Sequence, residues 1–219
     1  MKFTIVLTAL FFAFQALAHV EGDMQSLPQQ KFAAKKFGFA QAVPTGRIRV
    51  QGGQLLNFTK NSPTRQKVLD SYEIIEAVLN SESFKERVIN YQHSSGQRRY
   101  AANRGMTNEQ IYQFLMSGRE ILGGDATPGE MNFDVRYYYR GWSKVIGYTV
   151  PGKDNTIHIN GRFYTGYDLS SVASNLVHEW IHLMGFSHEG GRDLEDVAYA
   201  IGRIVGDLAQ QYIRQGHLD

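Results

Sequence analysis

Eleven consecutive residues constrain the fold of this chain more than any other stretch: His178-Glu179-Trp180-Ile181-His182-Leu183-Met184-Gly185-Phe186-Ser187-His188. They close a helical pattern that opens after Asp168, a predicted N-cap, and runs through Val172, Leu176, Val177 and Trp180. On a helix His178 and His182, four positions apart, leave the same face one turn above each other and can share one ion. His188 lies ten residues beyond His178, which on an unbroken helix is about 15 Å along the axis and outside any single coordination sphere. The chain must therefore turn back, and Gly185 is the residue able to take the left-handed conformation that ends a helix.

Composition then decides the ligand chemistry. The 219 residues include no cysteine, so disulfides, thiol catalysis and thiolate metal sites are excluded. Any metal must be held by histidine and oxygen. Neutral imidazoles suit zinc, and three protein ligands leave the fourth position for water, as in catalytic rather than structural sites. Glu179 would stand beside the ion rather than on it, where its carboxylate can accept a proton from the bound water. The chemistry expected is attack of hydroxide on a polarised amide carbonyl. Glu189, Asp193, Glu195 and Asp196 are alternative oxygen ligands if His188 does not reach.

Other polar groups carry weaker signals. His158, between Ile157 and Ile159, reads as a hydrogen-bonded strand residue, with substrate or a second metal as the alternative partners. Asp125, Glu130 and Asp134 lack the EF-hand spacing and read as solvated turn residues rather than a calcium loop. Lysine plus arginine number 23 against 21 acidic residues, and this near balance gives no footprint for nucleic acid. Arg98-Arg99 and Arg104 then form a wet basic surface.

Residues 1–18 read as a secretory signal, with Lys2, the apolar run Phe3 to Phe14 and the small-residue site Ala16-Leu17-Ala18. The run is too short for a membrane anchor. The expected product is a secreted or periplasmic monomer beginning near His19. Residues 19–61 are glutamine-rich and read as a lead-in or pro-segment, within which Arg47 to Gln51 and Gln54 to Phe58 flank Gly52-Gly53 as a hairpin. Ser62 and Pro63 start a helix carrying Val68, Leu69, Tyr72, Ile75 and Leu79. Ser83 with Glu86, and Thr107 with Gln110, predict capping boxes, the second ahead of Ile111, Phe114, Leu115 and Leu122. Phe133 to Tyr139, Lys144 to Val150 and Thr156 to Phe163 predict strands, and strand propensity accounts for the tyrosines Tyr137 to Tyr139. A last helix is expected over about Tyr199 to Arg214.

The motif His-Glu-x-x-His-x-x-Gly-x-x-His resembles the signature of the metzincins, a family of zinc endopeptidases, and the order of elements over about residues 63–214 is similar to theirs. That resemblance implies an α+β fold for residues 62–219: a twisted, mostly parallel sheet with an antiparallel edge strand, an active-site helix and a C-terminal helix. It implies zinc on His178, His182 and His188, Glu179 as general base, and a peptide or protein substrate laid along the edge strand. The family also has a methionine in a tight turn beneath the zinc, whereas the last methionine here is Met184. Val197 or Ala198 stands in its place. Tyr199 then resembles the tyrosine that some members set near the metal, as a ligand or a donor to the oxyanion, the alternative being an aromatic that starts an amphipathic helix. The expected function is an exported zinc-dependent endopeptidase. Two alternatives stand beside it: a zinc hydrolase of a non-peptide amide or cell-wall crosslink, and a metal-bearing binding protein without turnover.

Overall fold

The computed structural model describes residues 47–120, 128–188 and 193–216. The expected signal at 1–18, residues 19–46 of the lead-in, Leu122, Asp125 and Glu189 lie outside the described residues. None of the described helices is long and apolar enough to cross a membrane.

Two of the three caps predicted before the strands stand where the sequence sets them. Ser62 Oγ accepts from Arg65 N at 3.2 Å and Pro63 opens α1, Pro63–Leu79. Thr107 and Gln110 exchange both capping-box bonds, 3.2 and 2.9 Å, at the start of α3, Asn108–Met116. Between them α2, Glu82–Ile89, is capped by Ser81 and not by Ser83. Ser81 has the extended backbone an N-cap needs (φ −81°, ψ 146°) and accepts from Phe84 N at 3.1 Å, which leaves Ser83 inside the first turn.

The hairpin expected around Gly52-Gly53 is instead a single strand, β1, Arg49–Leu56, with a register shift between Gly52 and Leu55. These glycines serve close approach rather than a turn. A Cβ on Gly52 would lie 2.2 Å from the Tyr72 ring, and one on Gly53 would lie 2.3 Å from Asp134 Oδ1 and 2.8 Å from Phe133 O. β1 thus belongs to the same sheet as the later strands, β2 (Glu130–Tyr138), β3 (Gly147–Tyr148) and β4 (Thr156–Asn160). The sheet order is β1-β2-β4-β3, parallel across β1-β2-β4 and antiparallel at β3-β4. Helices α4 (Gly161–Tyr164), α5 (Leu169–Leu183) and α6 (Val197–Arg214) complete six helices among the described residues, an α+β architecture.

Two expected strands come out short because Asn160 ends one and ties the other. Its Oδ1 accepts from Arg162 N at 3.1 Å, capping α4, and its Nδ2 donates to Val145 O at 3.1 Å. At the far edge, α1 covers β1. Asn80 exchanges bonds of 2.9 and 2.8 Å with Ile48 N and O, and Glu76 Oε2 accepts from Val50 N at 2.9 Å. The edge that polymerising strands could use is closed there by side chains.

Met131, Phe133 and Val135 of β2 alternate into the core with Ile157 and Ile159 of β4. α5 packs on that core and lies against α1 and α6. Trp180, fully buried, fixes it further: the indole donates to Glu120 Oε1 at 2.7 Å, and the same oxygen accepts from Asn132 N in β2 at 2.9 Å.

Candidate metal centre

α5 starts where predicted, with Asp168 Oδ1 accepting from Ser171 N at 2.8 Å. Its end is built by Gly185 at φ 94°. Gly185 N donates to His182 O at 2.9 Å and Phe186 N to Ile181 O at 3.3 Å, the paired bonds of a Schellman motif, with Phe186 buried beneath. Arg104 braces this turn, its Nη1 donating to Gly185 O at 3.3 Å and its guanidinium lying 5.8 Å from the Phe186 ring centre. The reversal required by the motif spacing is therefore present.

It brings His188 back to His178 and His182, and one nitrogen from each ring lies within 4.8 Å of the other two, a group that could hold a metal ion. His178 Nε2 and His182 Nε2 are 3.2 Å apart. Two nitrogens bound tetrahedrally at 2.0 to 2.1 Å would be separated by about 3.3 Å, so the spacing fits one shared zinc. Two of the rings are also held through their second nitrogen. His182 Nδ1 donates to Phe186 O at 2.7 Å, and because a carbonyl can only accept, Nε2 is left with its lone pair facing His178. Burial pushes the His182 imidazole down to about 4, so it is neutral and able to ligate at pH 7. His188 Nδ1 lies 2.5 Å from Asp196 Oδ2.

Glu179 is 4% exposed, and burial pushes its carboxyl up to about 8. The backbone of β3 passes directly over it: a Cβ on Gly147 would lie 3.1 Å from Glu179 Oε1 and 2.9 Å from Asn175 Oδ1. Asn175 is itself held by Tyr164, whose hydroxyl donates to it at 2.6 Å. Asn160 N donates to Ile146 O at 2.8 Å, and Tyr148 pairs with His158 in the same register. By the alternation of an antiparallel ladder, Gly147 between them turns its N–H and C=O away from β4 towards the open edge. One donor and one acceptor of the backbone thus face outward beside the buried carboxylate.

Tyr199 also joins this centre. It stands in the first turn of α6, with its ring centre 4.6 Å from that of His188 and 4.5 Å from that of His178. Val197 and Ala198 form no tight turn. They are buried in the same helical turn, because Asp196 caps α6 by accepting from Tyr199 N at 2.9 Å.

The described alternative oxygen ligands, Asp193, Glu195 and Asp196, are placed elsewhere. Asp196 Oδ2 meets the outer nitrogen of His188. Asp193 and Glu195 converge with His93 in a second group. There Glu195 accepts from Ser94 N at 2.8 Å and Ser94 Oγ at 2.6 Å, which together with His93 hold its carboxyl below the usual range. Ser95 N donates to His93 Nδ1 at 3.0 Å, so the imidazole proton sits on Nε2, aimed at Glu195 3.0 Å away. This pair ties the chain after α2 to the segment before α6. His158 stacks on Tyr148, with ring centres 4.4 Å apart, and lies outside both groups. Asp134 accepts from Gln54 N at 2.7 Å within the sheet, and Arg98 donates to Asn90 Oδ1 at 2.8 Å.

Sequence reasoning missed Glu120 and Gly147, for which no local pattern speaks, and it missed the link from Asp196 to His188. An aspartate three residues ahead of Tyr199, at the start of a helical period, was the available sign of the cap. No protein-family model matches this chain, and no curated protein does.

Proposed function

We propose that this protein is an exported, monomeric zinc-dependent endopeptidase resembling the metzincins. The observation that carries the reading is the convergence of His178, His182 and His188 with the buried carboxylate of Glu179 on the next residue of the same helix. A zinc ion held by the three imidazoles would supply Lewis-acid chemistry, polarising a carbonyl and lowering the pKa of water from 15.7 towards about 7. Glu179 takes the proton of the attacking water and returns it to the leaving amine nitrogen. Burial alone raises the Glu179 carboxyl to about 8 and so favours its neutral form at pH 7; a cation on the neighbouring imidazoles would favour the ionised form that a base needs. Gly147 supports a peptide substrate: its outward N–H and C=O can pair with an extended backbone and bring a carbonyl alongside Glu179. Tyr199, whose ring lies against two of the imidazoles, would donate to the oxyanion in this reading.

The test is metal content and cleavage of unfolded protein by the chain from His19, beside Glu179→Ala. The expected result is about one zinc per chain in both, with cleavage lowered at least about 100-fold in the variant. Absence of zinc from the wild type, or equal cleavage by the variant, refutes the reading. The helical turn at Val197 and Ala198, where the family has its methionine, favours one second reading, a metal-bearing protein without turnover. Zinc without cleavage of unfolded protein or of cell-wall crosslinks would establish it.

A further inference from the structure

Two of the three imidazoles project from α5, whereas His188 follows the Schellman turn and its side chain is 31% exposed. Something other than the helix must hold it. We propose that Asp196 is the positioning residue that makes His188 a ligand, by fixing both the ring orientation and the tautomer. The inference rests on the zinc reading above.

Asp196 is 1% exposed and both of its oxygens are committed. Oδ1 accepts from Tyr199 N at 2.9 Å as the cap of α6, and Oδ2 meets His188 Nδ1 at 2.5 Å. Its backbone is fixed in turn, since Asp196 bridges Ala101 and Ala101 N donates to Glu195 O at 3.0 Å. A carboxylate can only accept, so the proton of His188 must lie on Nδ1 and the lone pair on Nε2. Carboxylates placed behind ligating histidines in this way also raise the basicity of the metal-facing nitrogen. One side chain therefore starts the helix that carries Tyr199 and orients the third imidazole.

The two tasks can be separated. In Asp196→Asn the amide oxygen caps α6 as well as the carboxylate did, but the amide nitrogen is a donor facing Nδ1. The imidazole proton is then driven to Nε2, where it blocks the metal. The experiment measures zinc affinity by competition with a chromophoric chelator, and melting of the metal-free chain, for wild type, Asp196→Asn, His188→Ala and the double variant. Asp196→Asn is expected to melt with the wild type without metal and to bind zinc about 10- to 100-fold more weakly. In the His188→Ala background the same change should cost no further affinity. Equal affinity of Asp196→Asn and wild type overturns the proposal, as does an equal loss with His188 absent. If Asp196→Asn does not fold, Asp196→Ser keeps the cap without the second oxygen, and unchanged affinity there overturns it too. A wild type that binds no zinc overturns the underlying reading, and with it this one.

Discussion

Gly202 is the place where helix packing and the candidate metal centre meet. It lies in α6 against α5, and a Cβ added there would stand 3.2 Å from His178 Cβ and 3.2 Å from Ser174 O. The helices are already joined at this point by Ser174 Oγ donating to Gly202 O at 2.8 Å. In Gly202→Ala the helix gains about 1 kcal/mol of propensity, while forcing a methyl group into a packed interface costs about 1 to 3 kcal/mol. The net loss is between about 0 and 2 kcal/mol, a fall in melting temperature of up to about 8 °C for a chain of this size. The atoms that must give way belong to a proposed zinc ligand, so zinc affinity should fall as well, by about tenfold. Gly206→Ala supplies the control. Its Cβ would press on Ser174, 3.1 Å from Cβ and 3.3 Å from Oγ, without touching a histidine. Metal-free melts and chelator competition on both variants separate the effects. A Gly202→Ala protein that melts higher with undiminished zinc affinity refutes the reasoning, and so does an equal loss of affinity in Gly206→Ala.

Two further outcomes follow from groups away from the ligands. Burial raises the Glu120 carboxyl, so the folded chain holds that proton more tightly than the unfolded one. Its contribution to stability is full below the ordinary carboxylate range and is lost as pH rises through the raised value. Glu120→Gln, which keeps an acceptor for Trp180 and Asn132, should melt higher than wild type at pH 7 and show less change towards pH 5; a lower melt at pH 7 contradicts this. At the N-cap of α5, burial pushes Asp168 up, but the bonds from Ser171 and Ser170 outweigh it and hold the carboxyl below its usual range. Asp168→Ala should cost about 0.5 to 2 kcal/mol at pH 7. That difference is present above the ordinary carboxylate pKa and is lost only as pH falls through the lowered value, so a gap that persists unchanged into strong acid would count against the cap.

The parts of this fold that could be read beforehand are those in which the governing contacts are local. Ser62 with Pro63, Thr107 with Gln110, and Asp168 each bond within three residues, and the caps lie where their side chains predict. The pair His178 and His182 and the reversal at Gly185 were legible for the same reason, whereas the bracing of that turn by Arg104 and the hold of Asp196 on His188 were not. The misread parts depend on partners distant in sequence. Gly52-Gly53 looks like a turn when only its own backbone freedom is considered, and becomes a strand because Tyr72 and the Phe133-Asp134 backbone approach it closely. The strand expected to reach Phe163 stops at Asn160 because that side chain caps α4 and binds Val145. Ser81 and Ser83 offer similar local chemistry, and the end of α1 at Asn80 decides between them.

That division has a kinetic consequence. Arg49 pairs with Glu130, about eighty residues further along, so closing β1 onto β2 carries the loop entropy of everything between them. The helix with His178 and His182 needs no such search. Two imidazoles are therefore expected to reach their spacing before the third, which depends on Asp196, whose backbone bridges Ala101 from the other half of the chain. If the three imidazoles hold zinc as proposed, tight binding should come late, and the rate at which the chain acquires it would report when its long-range pairings have closed.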